Sequence, residues 1–436
     1  MKYKIKICLL LLFATFKQNA QTSQERNFSF GTNCPEKEKG VVISDAHVFE
    51  ESKDDYFFDY GTAGKVTFEE DAFTASSPVY FSIKLPEDNY KVTVEFGSEN
   101  KDSRTTVKAE SRRLMLNQVT VPKGESKTRT FIVNLRTVNE VNGQKDINIK
   151  PREEDDLNWD DKLTLEFLGE VAVKSISIEE AAGVTNIFLA GDSTVTDQDF
   201  EPWGSWGQMI TRYFTQDVVI ANYAASGLSL NSFKGGKRLD KILSLMKPGD
   251  YLFIEFGHND QKEKGEGKGP WQSYTNSLIE YIQAAREKGG IPVLVTPTQR
   301  RHFKEDKNLK DTHGDYPAAM RKVGKDMDVP LIDITEITTQ MYEAWGASLS
   351  RKAFVHYPAN TFPGQDDELK DDTHFNSFGA NEVALAVINE IRNSDLKLKE
   401  FIKPEVPVYN PEKPTDPSTW SIPSSSRFEA TKPEGN

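Results

Sequence analysis

The sequence predicts an α/β protein in two parts: a three-layer α/β/α domain built on a parallel sheet, preceded by a β-sandwich. Three observations predict it. From about residue 41 to 180, short segments alternate apolar and polar residues, as in KVTVEF and TLEFLG, with no helical periodicity. After about residue 184 the apolar runs become continuous, as expected of strands covered on both faces. Helical segments then separate those runs, which implies parallel strands with helices on both sides.

Taken in order, residues 1–20 have the form of an export signal. MKYKIK is basic, ICLLLLFATF is apolar and too short to span a bilayer, and KQNA ends on a small residue. Residues 21–40 are polar and read as a loose lead-in. In the accessory β-domain, 41–180, the strand candidates are YFSIKL, YKVTVEFG, RTFIVNL, KLTLEFLG and VKSISI. The α/β domain, 184–400, offers NIFLA (186–190), VVIAN (218–222), YLFIEF (251–256), PVLVT (292–296) and VPLIDI (329–334). Its clearest helix runs from Pro270 to Lys288, with proline at the start and Gly289-Gly290 past the end. A last helix is expected over about 377–392. Residues 401–436 are rich in proline and read as an extended tail, lying along the surface or disordered.

Charge narrows the function classes. The net charge of −13 becomes −17 once the four lysines of residues 1–20 are removed. An acidic surface of that size argues against nucleic acid, whose affinity rests on phosphate attraction. An acidic polymer would need a local basic patch. No second apolar run has membrane length, so the mature chain is expected outside the cytoplasm, in periplasm or medium. Removing the signal removes Cys8 and leaves Cys34 alone, which excludes an internal disulfide and a cysteine metal cluster.

In a parallel α/β sheet, ligands bind beyond the carboxyl ends of the strands. Those ends carry Gly191-Asp192-Ser193-Thr194, Tyr223 to Gly227, Gly257-His258-Asn259-Asp260 and Pro297 to His302, and Asp371 to His374 precedes the last helix. A serine hydroxyl becomes a nucleophile when a base takes its proton, and an oriented histidine is the usual base. Ser193, His374 and Asp371 supply that set. An oxyanion would need fixed donors, which the backbone of Ser193, the backbone of Gly227 and the Asn259 amide offer. Taken singly, each has an ordinary reading: a turn serine, a helix-capping asparagine, a packed histidine, a solvated acidic loop. Their conjunction at neighbouring strand ends points to acyl transfer. Asp192 is assigned to shaping the turn.

Other residues stay open between two readings. Arg300 and Arg301 could meet substrate carboxylates or pair with nearby acids. His258 and His313 could contact substrate or pack. Trp203 and Trp206 could stack on sugar or fill the core. Glu153–Asp156 could hold calcium or be a solvated loop. No G-x-S-x-G elbow, H-E-x-x-H helix or Walker loop is present.

The blocks GDST (191–194), ASGLS (225–229), GHND (257–260) and DDTH (371–374) resemble the four blocks of the SGNH (GDSL-type) hydrolases. Longer stretches, such as FLAGDSTVTDQ and DDTHFNSFGA, are similar to bacterial rhamnogalacturonan acetylesterases over about 184–392. The β-rich part resembles galactose-binding-like jelly-roll modules. The resemblance implies a flavodoxin-like catalytic fold, a Ser193-His374-Asp371 acyl-enzyme mechanism without metal or cofactor, and an acetylated pectic polysaccharide as substrate. Leu228 stands where the family often has arginine, which leaves the substrate-facing charge at that edge unassigned. The rivals are an SGNH lipase or thioesterase, an acetylesterase for another polysaccharide such as xylan, and a non-catalytic glycan-binding protein.

Overall fold

The computed structural model describes residues 25–34, 40–45, 55–305 and 307–435. The expected export signal lies outside the described residues. No helix among them is long and apolar enough to cross a membrane.

The second half forms a five-stranded, fully parallel sheet. Its strands are Thr185–Gly191, Val218–Asn222, Tyr251–Glu255, Ile291–Val295 and Leu331–Ile332. In space the second strand in chain order lies outside the first, and the third, fourth and fifth follow on the other side. The direction of winding therefore reverses at the first strand, which puts a crevice at the carboxyl ends of the first and third. Burial explains the composition: every residue of Val218–Asn222 and of Tyr251–Glu255 is buried. Two separate apolar clusters cover the sheet. One contains Leu189, Phe253, Trp206 and the helix Ser377–Asn393, and the other contains Phe188, Leu252, Leu278 and Ile282.

The helix expected at 270–288 departs from the regular form at its start. Pro270–Tyr274 is a π-helical turn, and the α-helix occupies Thr275–Glu287. Tyr274 N–H reaches Gly269 O at 3.2 Å, and the Tyr274 hydroxyl bonds Phe256 O at 2.8 Å. Pinning the tyrosine to the neighbouring strand end widens the first turn.

The β-rich half is organised by one long strand, Lys162–Glu180. The expected strands KLTLEFLG and VKSISI are its two ends, joined through a register shift between Val173 and Ser175. Its first part pairs with Val79–Lys84 and Ser103–Ala109, and its second with Asp88–Phe96 and Arg26–Phe30. The polar lead-in expected at 21–40 thus contains a strand. Phe28 and Phe30 enter the apolar cluster formed by both sets of strands, and burying two rings outweighs the polar neighbours. Cys34 bonds Phe30 O through its sulfur at 2.9 Å.

Buried charges join the two halves. Asp197, four residues after Ser193, faces Arg136 at 3.2 Å and Arg113 at 3.5 Å. Glu201 faces Arg112 at 2.5 Å and Lys108 at 3.4 Å. All four cations come from the β-rich half, and each of these six side chains is less than a tenth exposed. Arg238 pairs with Glu153, and Lys241 with Glu87 and Asp146 at 2.7 and 2.6 Å. The acidic run Glu153–Asp156 is thus partly a buried joint rather than a solvated loop. Such pairs add little net stability over an apolar core, but removing one partner strands the other. Asp197→Ala should therefore lower unfolding stability by about 3–5 kcal/mol, read as a reduced urea midpoint; a midpoint within a few tenths of a molar of the parent would contradict the assignment.

Candidate active site

The turn after the first parallel strand is built by Asp192. Its Oδ1 accepts the backbone N–H and the hydroxyl of Thr194, both at 3.0 Å, and its carbonyl accepts Val195 N–H and Thr196 N–H. This side chain shapes the turn and makes no bond to Ser193. The Ser193 carbonyl is held by the Ser205 hydroxyl at 2.7 Å and by Gln198 Nε2 at 2.9 Å. Asn222 Nδ2, from the second strand end, bonds Val195 O at 2.7 Å and Asp197 at 2.8 Å. The segment that bears Ser193 is therefore fastened on both sides of the serine.

His374 arrives from the far end of the sequence. It is fixed two residues before Asn376, whose side-chain oxygen caps the last helix by accepting Phe378 N–H and Gly379 N–H at 3.0 and 3.1 Å. His374 Nε2 lies 2.9 Å from Ser193 Oγ, and its Nδ1 lies 2.9 Å from Asp371 Oδ2. The other Asp371 oxygen accepts Thr373 N–H at 2.7 Å and His374 N–H at 2.8 Å. Burial by itself would raise the Asp371 pKa. The bonds and charge of His374, with the two backbone donors, overcome it and hold the carboxyl well below the usual range. Trp203 packs edge-on against the His374 ring at 5.8 Å. A serine, a histidine and an ionised carboxylate in this chain can pass the serine proton to the imidazole.

Gly227 has φ +80°, a left-handed conformation that favours glycine. Asn259 Nδ2 spends one of its two hydrogens on Leu228 O at 3.1 Å, and its Oδ1 accepts Lys262 at 3.1 Å. Among the described residues, the backbone N–H groups of Ser193 and Gly227 donate no hydrogen bond.

The four residues weighed as substrate contacts lie deeper or are engaged. Arg301 pairs with Asp372 at 2.6 Å and donates to Ala347 O at 2.8 Å. His258 and His313 are buried, their rings meeting edge to face at 4.7 Å. Burial lowers both pKa values, that of His313 to about 4, so both rings are neutral. His313 Nε2 bonds Thr298 O at 2.8 Å. Arg300 is mostly buried and its guanidinium reaches His258 O and Thr312 at 3.4 Å. Trp203 and Trp206 are likewise buried.

Sequence reasoning missed the C-terminal tail. The segment is ordered across the surface through Gly435 and reaches this site. Lys432 Nζ lies 3.1 Å from Asp371 Oδ2, Trp203 Nε1 donates to Glu429 O at 2.9 Å, and Glu434 bonds Lys150 at 2.5 Å. Proline content signals an extended chain and carries no information about its route.

A hydrogen-bonded Ser193–His374–Asp371 chain thus lies at the carboxyl edge of this parallel sheet. Residues 189–381 match the GDSL-like Lipase/Acylhydrolase family, and the chain belongs to that family; it is a carboxylic ester hydrolase. Over 218 residues it is 42% identical to rhamnogalacturonan acetylesterase RhgT of Bacillus subtilis, covering 50% of this chain and 93% of that protein. It is 26% identical over 253 residues to a rhamnogalacturonan acetylesterase of Emericella nidulans, 53% of this chain and 95% of that one. An uncharacterised esterase of Bacillus subtilis, YxiM, is 24% identical over 386 residues, 86% of this chain and 87% of its own.

Around the Ser193 turn lies a buried acid cluster. Thr194 Oγ1 sits 3.0 Å from both Asp192 Oδ1 and Glu255 Oε1, and one hydroxyl proton cannot serve both. Burial, with the Asp192 charge, raises the Glu255 pKa to about 8, so Glu255 is protonated and donates to Thr194, which donates to Asp192. Burial also raises Asp260, to about 7. A carboxyl whose folded pKa is raised holds its proton longer than in the unfolded chain. Its stability contribution is complete below the unfolded value and is lost as pH climbs through the folded one. The melting temperature should thus fall as pH rises from about 5 to about 8, and Glu255→Gln should flatten that fall. A Glu255→Gln protein with the parent's slope would contradict the protonated state.

Proposed function

We propose that this chain is a polysaccharide O-acetylesterase acting on acetylated pectin of the rhamnogalacturonan type, with Ser193 as nucleophile, His374 as acid–base and Asp371 as orienting carboxylate. The observation that carries the reading is the unbroken chain Ser193–His374–Asp371, with both links at 2.9 Å. The substrate class is supported by the activity for which the relative at 42% identity is named. Ser193 Oγ attacks the acetyl carbonyl carbon while His374 Nε2 takes its proton. The oxyanion is received by the N–H groups of Ser193 and Gly227 and the remaining Asn259 hydrogen. Collapse expels the sugar hydroxyl, which leaves with the proton held by His374. Water then repeats the sequence on the acetyl-serine and releases acetate.

In this reading, residues 1–20 direct export and 184–400 are catalytic. The β-rich half is an accessory jelly-roll-like sandwich, and its structural task is supported by the buried cations it supplies to Asp197 and Glu201.

Ser193→Ala should abolish acetate release from acetylated rhamnogalacturonan with an unchanged circular dichroism spectrum; substantial residual turnover would remove Ser193 from the role. Asn259→Ala should lower kcat by roughly 10²–10³, whereas a change confined to KM would make it a binding residue. Preference for esters of eight or more carbons over acetate would favour a lipase.

A further inference from the structure

A pocket beside Trp203, which packs on His374, is lined from both halves. Lys150 and Arg152, from the β-rich half, line it together with Trp203, Ala225 and Ser226. Lys150 Nζ donates to Ser226 O at 2.5 Å, and a Cβ placed on Gly227 would come within 3.1 Å of that nitrogen. A cation therefore stands beside one of the proposed oxyanion donors.

The fixed acids of this pocket are already matched. Glu153 pairs with Arg238, Asp197 with Arg113 and Arg136, and Asp199 with Arg427. Burial, with Asp199 and Glu153 nearby, raises Asp156 to about 8, so it carries little charge at neutral pH. Lys150 and Arg152 find their acidic side-chain partners in the tail instead: Glu434 at 2.5 Å and Glu429 at 3.7 Å. Both cations keep a quarter to a third of their side chains exposed. The tail backbone follows the same path. A Cβ on Gly435 would lie 2.6 Å from Asn259 Oδ1 and 2.8 Å from Gly227 Cα, and Lys432 shares the Asp371 oxygen that His374 uses. From Lys432 to Gly435 the segment thus runs from the triad carboxylate to the oxyanion donors.

The geometry points to a carboxylate subsite: Lys150 and Arg152 bind a uronic acid residue of the substrate beside the acetylated sugar, and Glu429 and Glu434 occupy that subsite until substrate displaces them. The inference rests on the acetylesterase reading and adds to it the part of the substrate that the β-rich half recognises. It also resolves a difficulty raised by the net charge of −17: an acidic polymer meets an acidic protein at a local pair of cations. The displaced tail carboxylates are chemically equivalent to the uronate that replaces them, so the cations are never left without an anion.

Two full-length variants test it, each assayed on an acetylated acidic rhamnogalacturonan oligosaccharide and on 4-nitrophenyl acetate, a neutral ester. Lys150→Met with Arg152→Met should lose about tenfold or more of the kcat/KM preference for the acidic substrate, and Lys150→Arg should restore most of the Lys150 share. An equal loss on both substrates would make the pair a brace for Ser226 and overturn the subsite. Lys432→Gln with Glu434→Gln should raise kcat/KM severalfold on both substrates by loosening the tail; unchanged values would overturn its role as occupant. Ser193-dependent turnover of the neutral ester with none on any acetylated polysaccharide would instead sink the proposed substrate and leave the esterase standing.

Discussion

The constraint on which the site depends is the neutralisation of Asp197 and Glu201. Both acids sit in the loop that follows Ser193, and their cations, Arg113, Arg136, Arg112 and Lys108, belong to the β-rich half. A serine on a strand-to-loop turn needs its backbone held if its hydroxyl is to meet a distant imidazole. The loop cannot be held by apolar packing alone, because most of its residues are polar. Burying them therefore demands matched charge, and the matched charge comes from a separate sheet. The β-rich half is therefore part of what holds the Ser193 turn in place. The same arrangement makes the Ser193 turn sensitive to substitutions in strands far from it in sequence.

Around that turn the protein uses the opposite device. Asp192, Glu255 and Asp260 are buried without a full set of cations, and burial shifts them toward the neutral form. A protonated Glu255 replaces its repulsion with Asp192 by a directional relay through Thr194. Asp371 lies at the other extreme: four hydrogen-bonding or charged contacts keep it ionised in spite of its burial. Carboxylates within one small region are thus set to different charge states by the balance of burial against donors and charge.

The parallel sheet was readable because its strands are continuous apolar runs and because ligand-bearing residues must follow their carboxyl ends. Those two facts placed Ser193, Gly227, Asn259, Asp371 and His374 on one rim without knowledge of a single contact. The long strand Lys162–Glu180 looks like two in the sequence, since Gly169 and Lys174 interrupt the alternation that the backbone itself sustains. Arg26–Phe30 was read as lead-in because only two of its five residues are apolar, and pairing with a strand far along the chain is invisible locally. Lys150 and the tail escaped for a related reason. Their positions are set by how two halves dock and where a proline-rich segment finds anchors, and neither leaves a period in the sequence. Arg301, His258 and His313 were visible as polar residues near the rim, but burial and partner choice decide their work.

The pairing of Arg26–Phe30 with Ser175–Ile178 also governs how the chain acquires its fold. The two strands are separated by roughly 150 residues, and closing so long a loop slows folding compared with local contacts. The tail, held at Asp371 through Lys432, closes a second long loop onto Lys150. During synthesis the β-rich half cannot complete its sheet until residue 178 has emerged, and the cleft cannot take its resting form until residue 434 has. The active site is therefore among the last features to mature, so a nascent or C-terminally clipped chain would carry an open cleft on an otherwise finished scaffold.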